Sequence, residues 1–171
     1  MGEGMLAIKV AEYAAAGADA DQVAAYITDR RNEVWEFVAV HTLDYLKRAG
    51  RVKASSAFFG NLLGVKPIII ADADGDQVAY KKVKGRSASL AEIVNLLKEH
   101  VSPDENQTIY IAHADSHPSD VLAVKEMIER EIPCKDIHVS CIGPIIGASI
   151  GPEAIAVLGF GEKVTYKGGE K

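Results

Sequence analysis

The chain has 171 residues, 48% of them apolar and 25% charged, which suits one compact domain with a real core and excludes both a disordered chain and a membrane-embedded one. A formal net charge of −5 supplies no positive field for a phosphate backbone, and no run reaches the roughly 20 apolar residues of a membrane span, so neither nucleic acid nor a bilayer is an expected partner. Two cysteines, Cys134 and Cys141, are too few for a disulfide framework and predict buried thiols in a reducing, cytoplasmic setting.

The opening Met-Gly-Glu-Gly passes almost directly into a helical pattern from Gly4 to Gly17, as expected of a chain that begins inside a larger architecture. Asp19 and Gln22 have capping-box spacing, and Val23, Ala24 and Ile27 then share one face of a second helix. Val34 to Val40 is β-branched and aromatic and predicts a buried strand. Thr42 can cap a short helix through Tyr45 and Lys47 that Gly50 ends, and Ala54 to Leu63 predicts another helix ended by Gly64.

Pro67 to Ala71 and Gln77 to Val83 flank an Asp74-Gly75 turn and predict a β-hairpin. Leu90, Ile93, Val94, Leu97 and Val101 recur at helical spacing behind a Ser89/Glu92 capping box. Thr108 to Ala112 predicts a strand, Pro118 to Arg130 a helix with Val121, Val124 and Ile128 inward, and Ile137 to Ile142 and Ala154 to Phe160 two more strands. The tail from Lys163 is expected to fray. Strands alternating with helices define an α/β fold, a mixed β-sheet covered by helices.

Three clusters invite chemistry. Asp72, Asp74 and Asp76 surround Gly75, but an EF-hand needs a bidentate Glu where Val83 stands, so turn chemistry is the favoured reading. His113, Asp115, His117 and Asp120 follow a strand and have the donors of a metal or acid–base site; strand-end and helix-cap roles are favoured, with Ser116 or His117 capping, Pro118 in the first turn and Asp120 complementing the dipole. A hydrolase or transferase using His113, Asp115 and His117 is the alternative. Gly143, Pro144, Gly147, Gly151 and Pro152 form either a tight structural turn or a ligand-binding loop, without the Gly-Lys-Ser/Thr of a phosphate loop. Arg51, with Lys47, Arg48 and Lys53, makes a local basic patch.

The segment Thr42-Leu43-Asp44-Tyr45-Leu46-Lys47-Arg48-Ala49-Gly50-Arg51-Val52 resembles the DegV family, and the likeness continues through Gly60-Asn61-Leu62-Leu63-Gly64-Val65-Lys66-Pro67-Ile68-Ile69 and Lys82-Val83-Lys84-Gly85-Arg86. His113-Ala114-Asp115 and Gly143-Pro144-Ile145-Ile146-Gly147-Ala148-Ser149-Ile150-Gly151-Pro152 match further family segments in order and spacing. The resemblance implies a DegV-like carboxy-terminal lipid-binding domain over residues 34–171, with residues 1–33 a helical segment linking to a missing amino-terminal domain.

It further implies a non-enzymatic role with no metal or cofactor: one long-chain fatty acid is buried and its carboxylate presented to a fatty acid kinase. The implied wall is Phe58, Phe59, Leu62, Leu63, Ile68, Ile70 and Ile146, with Ser149 at the carboxylate, and Arg51, Lys84 and Arg86 are the basic positions for the kinase or acyl-phosphate. Ser149 stands where the family commonly has His, and Glu153 where it has glycine. An interaction module with a degenerate lipid pocket is a further alternative.

Overall fold

In the computed structural model, residues 1–51 and 64–168 are described. They form helices α1 (Gly2–Ala15) and α2 (Ala20–Arg30), strand β1 (Val34–Ala39), helix α3 (Asp44–Arg48) and strands β2 (Val65–Ala71) and β3 (Gln77–Lys84). After these come α4 (Arg86–His100), β4 (Thr108–Ala114), α5 (Pro118–Glu131), β5 (Asp136–Cys141), α6 (Pro144–Ile150) and β6 (Ala154–Phe160). The helix expected over Ala54 to Leu63, and with it Phe58, Phe59, Leu62 and Leu63, lies outside the described residues.

The strands make one sheet in the order β3-β2-β1-β6-β4-β5. All neighbours are antiparallel except β4 and β5. It follows that β1, β3, β4 and β5 all end at the same edge, where β2 and β6 begin. Backbone bonds stitch that edge: Val40 N–H donates to Pro67 O (3.2 Å), Gly85 to Gly64 (2.8 Å), Ile142 to His113 (2.8 Å) and Glu153 to Ala114 (2.7 Å).

The opposite edge is held by side chains as well as backbone. Asp72 is buried, and its Oδ1 accepts the Asp74 and Asp76 amides (3.0 and 2.9 Å) while Oδ2 accepts that of Gly168 (3.0 Å). The aspartate cluster is therefore a turn, as its composition predicts. Trp35 Nε1 donates to Glu162 O at 2.9 Å, Val164 is buried, and Ala73 N–H donates to Tyr166 O at 2.9 Å. The tail does not fray from Lys163: it returns to the hairpin through Gly168, because Asp72 offers it an acceptor.

Local signals set most of the helices. Asp19 and Gln22 form the predicted capping box, with both bonds at 2.9 Å. Asp44 N–H donates to Thr42 Oγ1 at 3.2 Å. Helix α4 departs from expectation by starting at Arg86, behind Gly85, whose φ of 92° makes the turn. Ser89 is then inside the helix, donating to Arg86 O at 2.7 Å, and Glu92 pairs with Lys81 at 2.6 Å instead of completing a box.

The two sheet faces differ in what covers them. One carries Phe37, Ile68, Ile70, Ile109, Ile111, Ile155 and Val157 against Leu90, Ile93, Val94 and Leu97 of α4 and Val124 and Ile128 of α5. The other carries Val38, Ile69, Ala79, Ala112, Ala114, Ala154, Ala156 and Leu158, under Met5 of α1 and Leu43 and Leu46 beside α3. Alternation along β4 and β6 puts isoleucine and valine on the first face and alanine on the second.

Candidate functional site

The alanines leave room, and α6 roofs it. A cavity of about 430 Å³ lies on the alanine face, lined by Ala112, Ala156 and Leu158 of the sheet, Leu46 of α3, and Ile142, Ile146, Ser149 and Ile150 in and before α6. That volume is within the roughly 300–1,000 Å³ of small-molecule sites. Arg51, Met1 and Glu36 also border it. Helix α6 was not foreseen as a helix. Its Pro144 occupies the first turn and Gly151 (φ 84°) ends it, a Pro-then-Gly order that does mark a helix.

Gly151 also explains why two of the family-like segments occur together. A Cβ added there would stand 2.8 Å from Cε2 and Cγ of Tyr45, so α3 and the end of α6 pack backbone against ring. Ser149 Oγ is half-buried and donates to Ile145 O at 3.3 Å, along its own helix, so an entering oxygen would compete for that proton. Ile145 and Ile146 border the cavity yet are 86% and 56% exposed, leaving α6 apolar and open to solvent there.

Glu153 does not point its charge into the cavity. It sits at φ 62°, the left-handed conformation that glycine takes most readily, and its Oε2 meets His41 Nδ1 at 2.7 Å, with Lys66 Nζ 3.2 Å from the same nitrogen. This exposed cluster lies on the stitched edge. Arg51 is exposed there too, its Nη1 donating to Ala49 O at 3.2 Å. Lys84 is exposed at the end of β3. Arg86 is engaged: Nε donates to Asp120 Oδ2 at 2.8 Å, tying the first turns of α4 and α5, while Nη1 and Nη2 are buried without a hydrogen-bond partner among the described residues.

The other candidates separate. Ile68 and Ile70 are fully buried on the helix-packed face, so the sheet itself stands between them and the cavity that Ile146 and Ser149 line. His117 caps α5, accepting from Ser119 N–H at 3.3 Å, and Asp120 holds Arg86. Asp115 is exposed at φ 46°, and His113 Nε2 lies 3.6 Å from the thiol of Cys141. Among the described residues no group of three or more His, Cys, Asp or Glu side chains could hold a metal. Neither cysteine is fully buried, contrary to expectation: Cys134 is half-buried and Cys141 exposed. Sequence reasoning missed Leu46, Ala112, Ala156 and Glu36 as cavity residues; the small-residue alternation of β4 and β6 was the available signal.

A mixed sheet with helices on both faces, an alanine-lined cavity under a short helix, and loops gathered on one edge define a domain of α/β class. The chain belongs to the DegV family: residues 1–162 match the family model described as "Uncharacterised protein, DegV family". A DegV domain-containing protein of Clostridium perfringens is 32% identical over 162 residues, covering 95% of this chain and 55% of the relative. A DegV family protein from Thermus thermophilus, whose structure is titled for fatty acid binding, superposes with a TM-score of 0.83 at 24% identity, covering 94% of this chain and 57% of that one. The DegV family protein of Ruminococcus gnavus, solved with vaccenic acid, gives 0.82 at 20% identity over 91% and 55%. The chain thus spans a little over half the length of the relatives it matches.

Proposed function

We propose that the protein binds one long-chain fatty acid in the cavity beneath α6 and presents its carboxylate, at the stitched sheet edge, to a fatty acid kinase. The observation that carries this reading is the cavity itself, apolar along Leu46, Ile142, Ile146, Ile150 and Leu158 and opened by Ala112 and Ala156. Burying roughly 15 methylenes at about 0.8 kcal/mol each supplies a gross drive on the order of 12 kcal/mol. Ordering costs reduce this to a usable affinity.

Ser149 is the proposed hydroxyl donor to the carboxylate, and a headgroup there lies near Arg51, which borders the same cavity. Arg51 and Lys84 are the proposed kinase-facing cations. Arg86 is spent on Asp120 and joins them only as a strut for the edge. The amino-terminal domain implied by the family resemblance is the proposed cover for the exposed Ile145 and Ile146. The chain's own work in this reading is binding rather than catalysis.

Mass spectrometry of organic extracts from the protein, purified as its natural polypeptide, should show a stoichiometric long-chain acid; a protein that neither retains nor takes up one overturns the proposal. Ala156→Leu, which fills the cavity, should abolish retention at a stability cost of at most about 1–3 kcal/mol. Arg51→Ala should retain lipid yet slow acyl-phosphate formation, and unchanged phosphorylation would remove Arg51 from this role.

A further inference from the structure

One side chain on the cavity wall does not suit a plain hydrocarbon. Glu36 lies in the middle of β1, between Val34 and Val38 on the alanine face, and pairs in register with Leu158. It lines the cavity under α6, and it also lines a second cavity of about 300 Å³ bordered by Gly2, Glu3 and Leu6 of α1. Among the described residues its carboxyl makes no hydrogen bond and no ion pair. Burial pushes the carboxyl above the ordinary carboxylate range, and in its protonated form it can both donate and accept.

The cost of this arrangement is specific. Glu36 keeps part of its surface accessible, so water solvates its carboxyl in the empty cavity, and a hydrocarbon chain laid against it would strip that water at typically about 1–3 kcal/mol. A saturated chain would leave that cost in place, whereas a ligand oxygen at the same depth would remove it. The depth follows from the strand: Glu36 is four residues inward of Val40 at the stitched edge, roughly 13 Å at the rise of a β-strand. An extended acyl chain entering from that edge spans this in on the order of ten carbon–carbon bonds.

We infer that Glu36 is a specificity-determining residue of the cavity, and that the ligand it selects is a long-chain acid bearing a hydroxyl near the middle of its chain, hydrogen-bonded to the Glu36 carboxyl. This rests on the fatty-acid reading above and refines its substrate class. The Ala112 and Ala156 side supplies space for the added oxygen.

The test is competition binding on the delipidated protein with two probes, octadecanoic acid and octadecanoic acid hydroxylated at about its tenth carbon. The hydroxy acid should bind about tenfold more tightly, the worth of one such hydrogen bond. Glu36→Leu should reverse the order by tightening the plain acid and weakening the hydroxy acid. Equal binding of both acids, or a preference that survives Glu36→Leu, overturns the inference while leaving the fatty-acid reading intact. Failure of both acids to bind overturns the fatty-acid reading and the inference with it. Circular dichroism of Glu36→Leu verifies that the variant folds, and Glu36→Gln, able to donate and accept, should restore most of the hydroxy-acid preference.

Discussion

The two faces of one sheet are built from the same strands and do opposite things. Along β4 and β6 the residues facing α4 and α5 are Ile109, Ile111, Ile155 and Val157, whereas those alternating with them on the other face are Tyr110, Ala112, Ala114, Ala154, Ala156 and Leu158, with alanines at four of the six positions. Large side chains close the first face into solid core. Small ones keep the second face open, and the short α6, whose residues are half-buried or exposed throughout, rests over the space without filling it. Solid packing and open space are thus divided by a period-two pattern within single strands.

The sharpest way to break this comparison is to excavate the packed face. Ile111→Ala, at a fully buried position, should cost about 2–5 kcal/mol in denaturant unfolding, because it leaves a cavity where α4 and α5 have no slack. A small loss there would mean that the packed face is looser than its burial indicates. Next in size is Gly151→Ala. A methyl directed into the Tyr45 ring, at a residue of positive φ, should cost about 2–4 kcal/mol by overpacking and backbone strain together, and the loss should shrink in Tyr45→Ala background, measured as a double-mutant cycle.

The smallest expected effect has a pH signature. Because burial raises the Glu36 pKa, the native state retains a proton that the unfolded chain loses in the ordinary carboxylate range. Stability therefore falls as pH rises through the window between those two values, and is undiminished below it. Glu36→Gln should unfold later than the parent at neutral pH by on the order of 1 kcal/mol, with the two curves converging as pH drops into the ordinary carboxylate range. Parallel curves would show that Glu36 is solvated in both states.

Much of the fold was legible because local chemistry and long-range packing agree. The Asp19/Gln22 box, the Asp72 turn and the His117 cap each satisfy backbone groups within a few residues, and such bonds leave their mark in spacing. Ser89 and Glu92 show the limit: they have capping-box spacing, yet Gly85 starts the helix four residues earlier and the pair serves other contacts. Helix α6 was hidden by glycines that read equally as a loop, although its Pro144 and Gly151 sit at the two ends a helix allows.

The site was less legible than the fold. Ile68 and Ile70 have the composition of a lipid wall, but face is a property of register, and in β2 register places them toward α4 while Ile69 turns the other way. A cavity is marked by what is small, so a search for large apolar residues passes over Ala112 and Ala156. Glu36 is a charge inside an apolar strand that the sequence reading passed over, and the sheet shows that it faces the open side.

The direction of the strands has one more consequence. With β1, β3, β4 and β5 all finishing where β2 and β6 start, the described residues proposed to meet ligand or partner at strand ends gather at one pole, while the Asp72 carboxylate and the Trp35 indole fasten the other. An engineer can work the two poles separately: alterations near Asp72 or Trp35 should register as changes in melting, and, on the proposed function, alterations near His41, Arg51 or Glu153 as changes in what the molecule grips.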